Sequence, residues 1–179
     1  DIVIESGVWR GYSTYLIDKS TSKGTCILSF DINLSLVEWK SQKANYYNYD
    51  LSDYTEPIKG KILALFDDHV SHYDRINFCH KKKIEFIILD DDVSIETVHS
   101  DGCPPIPTAN MLVNYGQIPH RFSWVSNNRN GQTDISKLDT EFINKNYTYL
   151  SAPDFFEYTG YHNTSTTSVM IRRQSTSIE

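Results

Sequence analysis

Short apolar runs alternate with segments of helical periodicity through the first half of the chain. The apolar runs predict strands at residues 1–5, 25–30, 44–49, 61–66 and 85–89. The periodic segments predict helices at residues 12–19, 34–43 and 72–82. Strands that alternate with helices are typical of βαβ units, and near-continuous apolar strands are typical of a parallel sheet covered on both faces. The pattern therefore predicts an α/β fold.

The second half of the chain is less regular, and loops dominate it after Val93. A glycine and three prolines mark one irregular loop at residues 102–107, and a polar run marks another at residues 126–131. Two further strands are predicted, at residues 147–150 and 168–172.

The length of 179 residues fits one domain, so we expect a single domain over residues 1–179. Asp1 opens directly onto an apolar strand, which we interpret as the loss of an N-terminal helical segment. One face of the sheet would then be partly uncovered, and self-association into a homodimer would hide it.

The net charge of −6 argues against nucleic acid as a partner, because nucleic-acid-binding domains normally present a basic face. The dense basic run at residues 81–83 is interpreted as a helix end, where cations meet the negative end of the dipole. The three cysteines have no CxxC spacing, which indicates neither a disulfide framework nor a zinc site. No apolar run approaches the roughly 20 residues of a membrane span, and no signal-peptide pattern is present. We therefore expect no membrane partner and a cytoplasmic protein.

Ligands of open parallel sheets bind outside the carboxyl ends of the strands. Gly7 and Gly11 follow the first strand and let the backbone turn tightly and approach a ligand. Asp31 follows the second strand, where a carboxylate can accept both hydroxyls of a ribose. Asp50 follows the third strand and is placed to accept from an adenine amino group. The alternative role for either aspartate is to cap the next helix.

Acidic residues crowd the ends of the fourth and fifth strands, at Asp67, Asp68, Asp90, Asp91 and Asp92. Carboxylates this close repel one another unless something compensates their charge. Water and diverging side-chain directions are one remedy. The other is a hard divalent cation such as Mg²⁺, which binds carboxylates and completes its shell with water and substrate oxygens.

Four motifs occur in order: Glu-x-Gly-x-x-x-Gly-Tyr-Ser at residues 5–13, Asp-Ile-Asn at 31–33, Asp-His at 68–69 and an acidic pair at 91–92. With these motifs, residues 1–95 resemble the metal-dependent O-methyltransferases of the catechol O-methyltransferase type and the related cephalosporin-hydroxylase-like group. The resemblance implies a Rossmann-like fold of the class I S-adenosylmethionine-dependent methyltransferases. That fold has a mainly parallel seven-stranded sheet, helices on both faces and an antiparallel last strand.

The resemblance also implies roles for individual residues. It implies contacts with S-adenosylmethionine from Glu5, Gly7, Ser13 and Asp31, and contacts with a metal ion from Asp68, Asp91 and Asp92. It places His69 beside the methyl donor.

The chain departs from the catechol type at two positions. A lysine base is expected three residues after the first metal aspartate, where this chain has Ser71. His72 is adjacent and is a candidate to replace the lysine, although a histidine that merely opens a helix is the alternative. Asp92 stands where the catechol enzymes have asparagine, which exchanges one oxygen ligand for another.

We therefore expect an S-adenosylmethionine-dependent, Mg²⁺-assisted O-methyltransferase that acts on a hydroxyl of a small molecule, such as a sugar or a secondary metabolite. Asp68, His69 and His72 are the candidate catalytic residues. Two alternatives stay open: metal-dependent hydrolysis at the same carboxylates, and a non-catalytic binding module with the methyltransferase fold.

Overall fold

The computed structural model of the chain describes residues 1–100, 102–126, 129–152 and 167–174. The strands in these segments are β1 (Ile2–Ser6), β2 (Cys26–Phe30), β3 (Ala44–Tyr47), β4 (Ile62–Phe66), β5 (Phe86–Leu89), β6 (Arg121–Ser126), β7 (Arg129–Asp134), β8 (Tyr147–Ser151) and β9 (Ser168–Arg172). Seven of them form one sheet in the order β3-β2-β1-β4-β5-β9-β8. Its strands are parallel except β9, which pairs antiparallel with β5 and β8. The predicted α/β fold, with a mainly parallel seven-stranded sheet and an antiparallel last strand, is confirmed.

The α-helices of the described segments are α1 (Tyr12–Ser20), α2 (His72–Lys82), α3 (Ala109–Val113) and α4 (Glu141–Asn146). Helix α1 connects β1 to β2, and α2 connects β4 to β5. The two connections step toward opposite edges of the sheet, because β1 and β4 are neighbours at its centre. Connections between parallel strands are right-handed, so α1 and α2 cover opposite faces. Among the described residues, no helix is both long and apolar enough to cross a bilayer.

The two faces of the sheet bury different kinds of side chain. Successive residues of a strand point to opposite faces, so Ile4 and Glu5 of β1 lie on different sides. Ile4 and Phe66 are buried with Ile76 of α2 in the main apolar core. On the other face, the buried carboxylate of Glu5 accepts hydrogen bonds from Thr14 of α1. The α1 face therefore buries a hydrogen-bonded carboxylate at the level of Glu5, opposite the apolar contacts of Ile4 on the α2 face.

Helix α2 is bounded as the sequence predicts. Lys82 is its last residue, and Lys83 follows in the left-handed conformation with φ of 59°. The backbone N–H of Lys83 donates to the carbonyl oxygen of His80, which is a common way to close a helix. The interpretation of the basic run at residues 81–83 as a helix end is confirmed.

The assignment of residues 1–179 to a single domain stays a prediction.

The predicted helix at residues 34–43 is wrong, because that segment has only one turn of 3-10 helix, at Leu34–Leu36. The backbone N–H groups of Glu38 and Trp39 donate to the carbonyl oxygen of Arg10, at 3.0 and 3.2 Å. An α-helix would need the same N–H groups for its internal bonds. The segment therefore packs against the loop that follows β1.

The sequence pattern also missed the antiparallel pair β6 and β7, which forms a separate two-stranded sheet. Phe122 and Trp124 of β6 pack with Val93, Val98 and Met111 in a second, smaller apolar core. Strand β7 is almost entirely polar, so it lacks the alternation of apolar and polar residues that predicts a strand.

Candidate functional site

The loop at residues 7–11, here called the glycine loop, depends on its two glycines for close backbone approaches. Gly7 has φ of 96°, and a Cβ atom there would lie 2.0 Å from the carbonyl oxygen of Asp67. Gly11 has φ of 91°, and a Cβ atom there would lie 2.2 Å from the carbonyl oxygen of Trp39. Any larger residue would be strained at both positions. The glycine loop is therefore pressed between the end of β4 and the segment that contains Trp39.

Glu5 and Ser13, two predicted cofactor contacts, lie beneath the glycine loop. The Glu5 carboxylate is fully buried and accepts hydrogen bonds from the hydroxyls of Ser13, Thr14 and Ser29, at 2.6 to 2.9 Å. Burial raises the pKa of this carboxyl above its usual value. These bonds fasten α1 to β1 and β2, so the two residues support the loop from below.

Asp31 holds the glycine loop from its other side. Its Oδ2 atom accepts the backbone N–H groups of Val8 and Trp9, both at 2.9 Å, and its Oδ1 atom accepts that of Asn33 at 2.8 Å. A carboxylate offers about four acceptor positions, so with respect to the described residues Oδ1 keeps one that a ligand hydroxyl could use.

A cavity of about 550 Å³, here called the strand-end cavity, opens at the carboxyl ends of β1, β2 and β4. Its lining residues are Ser6, Gly7, Trp9, Phe30, Asp31, Ile32, Tyr49, Asp50, Asp67, Asp68, His69 and Val70. The cavity thus brings together Gly7, Asp31, Asp50, Asp68 and His69 from the predicted site. The other predicted site residues lie outside this lining: Glu5, Gly11, Ser13, His72, Asp91 and Asp92.

One wall of the strand-end cavity is apolar and open to solvent. Trp9 is 64% exposed and Ile32 is 76% exposed, and Tyr49 is exposed as well. Single exposed apolar side chains are normal, but several that line one cavity can mark a ligand or partner site. Asp31 lies beside them, so the wall joins a flat apolar surface to a hydrogen-bond acceptor.

A buried arginine, which the sequence reasoning overlooked, bridges two of the cavity's carboxylates. Arg75 of α2 is 1% exposed. Its Nη1 and Nη2 atoms donate to the two oxygens of Asp50, at 3.1 and 2.7 Å. Its Nε atom donates to Oδ2 of Asp68 at 2.9 Å. The hydrogen bonds from Arg75 hold the pKa of Asp50 well below its usual range.

Asp67, His69 and Asp91 form a cluster at the ends of β4 and β5. Within the described residues, these three side chains have potential metal-ligand atoms that all lie within 4.8 Å of one another. The Nδ1 atom of His69 lies 3.4 Å from Oδ2 of Asp91. Both His69 and Asp91 have positive φ, 57° and 55°, which is uncommon for residues other than glycine. We call these three side chains the acid–histidine cluster.

The acid–histidine cluster shifts the protonation of its members. Partial desolvation, together with the neighbouring carboxylate of Asp90, raises the pKa of Asp67 to about 7. The hydrogen bond to Asp91 raises the pKa of His69 to about 9. At neutral pH the cluster therefore pairs an imidazolium with a carboxylate and holds a second carboxyl that is close to its midpoint.

His72, a predicted catalytic residue, is buried with both ring nitrogens bonded to the backbone. Its Nδ1 atom accepts the N–H of Ala109 at 3.0 Å, so Nε2 carries the ring proton and donates it to the carbonyl oxygen of Asp90 at 2.9 Å. A further contact, 3.5 Å from Nδ1 to Asp92, lies at the limit of a hydrogen bond. This geometry gives His72 a structural task and leaves it no nitrogen for a substrate proton.

Two of the three predicted metal ligands have other partners. The carboxylate of Asp92 is fully buried and accepts the N–H of Asn110 at 2.7 Å and the hydroxyl of Tyr149 at 2.8 Å. The carboxylate of Asp68 accepts from Arg75 and from the N–H of Val70. Of the predicted set, only Asp91 belongs to the acid–histidine cluster. The metal-binding assignment of the three stays a prediction.

The missed site residues left different signals in the sequence. Arg75 lies three residues after His72 and four before Cys79, so it shares the buried face of α2 with both. A charged residue on an apolar helix face requires a buried partner, which is a readable signal. The contribution of Trp9 and Tyr49 to one wall leaves no such signal, because it depends on how two loops meet.

The strand order of the sheet reverses between β1 and β4, which leaves a crevice outside the carboxyl ends of these strands. The strand-end cavity lies at this crevice, where open α/β sheets bind ligands.

The fold is shared with solved structures of low sequence identity. A candidate O-methyltransferase from Klebsiella pneumoniae matches with a TM-score of 0.54 and 12% identity, over 97% of this chain and 73% of that protein. A candidate S-adenosylmethionine-dependent methyltransferase from Listeria monocytogenes matches with a TM-score of 0.52 and 15% identity, over 97% of this chain and 90% of that protein.

The plantazolicin methyltransferase BpumL, solved in complex with a triazolic desmethylPZN analog and SAH, matches with a TM-score of 0.54 and 12% identity, over 97% of this chain and 77% of that protein. No protein-family model and no curated protein matches the sequence. At these identities the likeness shows the fold, and the chain has the Rossmann-like methyltransferase fold.

Proposed function

We propose that the chain binds S-adenosylmethionine in the strand-end cavity and transfers its methyl group to a hydroxyl oxygen of a small molecule. The observation that carries this proposal is the cavity itself, where an exposed apolar wall and the acceptor Asp31 meet two members of the acid–histidine cluster, Asp67 and His69. The presence of SAH in the BpumL structure, which has the same fold, supports the choice of cofactor.

The cavity residues fit an adenosine group. A volume of about 550 Å³ is in the range of small-molecule sites. Trp9 and Ile32 offer exposed apolar surface for the adenine ring, and Oδ1 of Asp31 has a remaining acceptor position for a ribose hydroxyl. Asp50 lines the same cavity, so it stays in the proposed adenine site even though Arg75 holds both of its oxygens.

We also propose that a divalent cation binds at the ends of β4 and β5. The acid–histidine cluster of Asp67, His69 and Asp91 is better suited to hold it than the predicted set, because the carboxylates of Asp68 and Asp92 bond to the protein. Cation binding would displace the proton that His69 carries at neutral pH, because only a neutral imidazole ligates a metal. Two carboxylates with one imidazole suit Mn²⁺, Fe²⁺ or Zn²⁺ better than Mg²⁺, which prefers oxygen ligands.

Bound S-adenosylmethionine would supply an electrophilic methyl group, and a bound cation would lower the pKa of the acceptor hydroxyl. The protein's part would be to hold the acceptor oxygen near the end of β4, beside Asp67 and His69. Asp67 would serve as one ligand of that cation. The lowered pKa of the acceptor hydroxyl would then make a strong side-chain base less necessary, which offsets the absence of a lysine at Ser71.

The cofactor proposal is tested by calorimetric titration with S-adenosylhomocysteine. The wild type should bind it, and Asp31→Ala should weaken binding by about 1 to 3 kcal/mol, as expected for lost hydrogen bonds to a charged group. Asp139→Ala is the matched control, because Asp139 is an exposed aspartate outside the cavity lining. Absence of binding to the wild type contradicts the proposal. An equal affinity for wild type and Asp31→Ala places the cofactor elsewhere.

The cation proposal is tested by thermal shift with Mn²⁺ and with Mg²⁺ on protein treated with a chelator. A cation that binds only the native state raises the melting temperature. Asp67→Asn should abolish the shift and Asp68→Asn should keep it, if the acid–histidine cluster is the site. The reverse result favours the set that the resemblance implies, and no shift in the wild type contradicts the cation.

The two other readings of the sequence give different results in the same assays. A metal-dependent hydrolase would respond to the cation and not to S-adenosylhomocysteine. A non-catalytic binding module would bind S-adenosylhomocysteine and show no methyl transfer to any of a panel of hydroxylated small molecules.

A further inference from the structure

Arg75 lies behind the wall of the strand-end cavity, where it contacts Asp50 and Asp68. Asp50 and Asp68 line that cavity, whereas Arg75 lines a neighbouring cavity of about 590 Å³ on the side of α2. The two carboxylates follow different strands, β3 and β4, which β2 and β1 separate in the sheet. The guanidinium therefore joins two strand ends that no backbone hydrogen bond of the sheet connects.

The geometry of this bridge requires the planar guanidinium of arginine, with its several donor atoms, which lysine lacks. The Nη1 and Nη2 atoms of the guanidinium donate to the two oxygens of Asp50. On the other edge, Nε donates to Oδ2 of Asp68, and Nη2 lies 2.8 Å from the same oxygen. A planar fork with fixed donor directions can satisfy two carboxylates at a set separation. A lysine ammonium has three donors on a single atom and cannot reproduce that spacing.

Each carboxylate also fixes the backbone of its own loop. Oδ1 of Asp50 accepts the N–H of Ser52 at 2.8 Å, and Oδ1 of Asp68 accepts the N–H of Val70 at 3.1 Å. The second of these turns encloses His69, whose φ of 57° requires support from its surroundings. The position of Arg75 therefore influences the backbone at residues 50–52 and at residues 68–70, which belong to two walls of the cavity.

We propose that Arg75 is a positioning residue, which holds the loops at residues 50–52 and 68–70 at the separation that the cofactor requires. This inference rests on the proposed function for its binding consequence, although its structural part is independent of it. Arg75 does not line the strand-end cavity, so it acts on a ligand there only through Asp50 and Asp68.

The test compares Arg75→Lys and Arg75→Met with the wild type at a temperature well below each melting point. Lys81→Met is the control, because Lys81 is an exposed cation of the same helix outside the strand-end cavity. Affinity for S-adenosylhomocysteine is measured by calorimetry, and backbone mobility is measured by hydrogen–deuterium exchange. Arg75→Lys keeps the charge and serves if Arg75→Met does not fold, since removal of one buried partner is strongly destabilising.

Arg75→Lys should bind S-adenosylhomocysteine at least about ten-fold more weakly, because small misplacements of a binding group cost that much or more. The amides of residues 50–52 and 68–70 should exchange faster, while those of β1 and β2 and the Lys81→Met control match the wild type. Unchanged affinity in a folded Arg75→Lys overturns the proposal. Faster exchange confined to α2 also overturns it, because it would show that Arg75 only fastens the helix.

The exchange measurement separates this proposal from the proposed function. If the wild type does not bind S-adenosylhomocysteine, the cofactor assignment fails on its own. The positioning role then stands if Arg75→Lys speeds exchange in both loops, and it falls if either loop keeps its wild-type rate.

Discussion

The Oδ2 atom of Asp31 accepts a hydrogen bond of 2.9 Å from the backbone N–H of Trp9. Asp31 follows β2 and Trp9 lies in the glycine loop after β1, so this bond joins two walls of the strand-end cavity. Trp9 has φ of 45°, which is costly for a residue with a side chain and needs such support. One carboxylate thus shapes the loop and lines the cavity. A test of the loop geometry alone therefore requires a different residue.

Gly7 provides that test. Gly7→Ala should lower the free energy of unfolding by about 2 kcal/mol or more, because the φ of 96° is unfavourable for alanine and its Cβ atom would lie 2.0 Å from the carbonyl oxygen of Asp67. Gly24→Ala is the control, since no atom lies within 4 Å of a Cβ atom built there. Urea unfolding of both variants checks the prediction. A Gly7→Ala protein as stable as Gly24→Ala would contradict the described loop.

The bond between Asp50 and Arg75 predicts a loss of stability in acid. Arg75 lowers the pKa of Asp50 below the usual 3.8, so this contribution is complete above that value and disappears as the pH falls further. Asp50→Asn should therefore be less stable than the wild type by about 2 kcal/mol near pH 6. The difference should shrink by about pH 2.5. Urea unfolding across this range measures it, and a difference that is constant with pH would refute the shift.

The pair of His69 and Asp91 predicts an unusual histidine titration. His69 should titrate near pH 9, and Asp91→Asn should return its midpoint toward 6.5 or below. Because the folded-state pKa is raised, the pair stabilises the protein below about pH 6.5, and that contribution is lost as the pH rises through 9. NMR of the imidazole protons in the presence of a chelator follows the titration. An unchanged His69 midpoint in Asp91→Asn would contradict the pairing.

The hydroxyl of Tyr149 donates to the fully buried carboxylate of Asp92, so its removal should destabilise the fold. Tyr149→Phe should cost about 1 to 3 kcal/mol of unfolding free energy, the usual range for a hydrogen bond to a charged group. Tyr12→Phe is the control, since Tyr12 is 72% exposed on α1. Equal stability of the two variants in urea would show that this bond contributes nothing.

The fold was predictable because its signals are local. Strand β9 at Ser168–Arg172 and helix α2 at His72–Lys82 have the bounds that the sequence pattern predicts. Residues 34–43 show where local signals fail, since the carbonyl oxygen of Arg10 takes the N–H groups of Glu38 and Trp39. A hydrogen bond between residues that far apart leaves no trace in the pattern of either segment.

By itself, the sequence determined that apolar strands alternate with helices and that acidic residues follow the strands, because periodicity and strand ends are properties of neighbouring residues. It thereby predicted that Asp31, Asp68 and Asp91 converge on one crevice. Asp31 and Asp68 line the strand-end cavity, whereas Asp91 lies outside its lining. Only the tertiary structure decided the partner of each carboxylate: Arg75 for Asp68, Tyr149 for Asp92 and His69 for Asp91. The physical reason is that an aspartate's chemistry depends on the donor that packing brings within about 3 Å, and those donors come from distant parts of the chain.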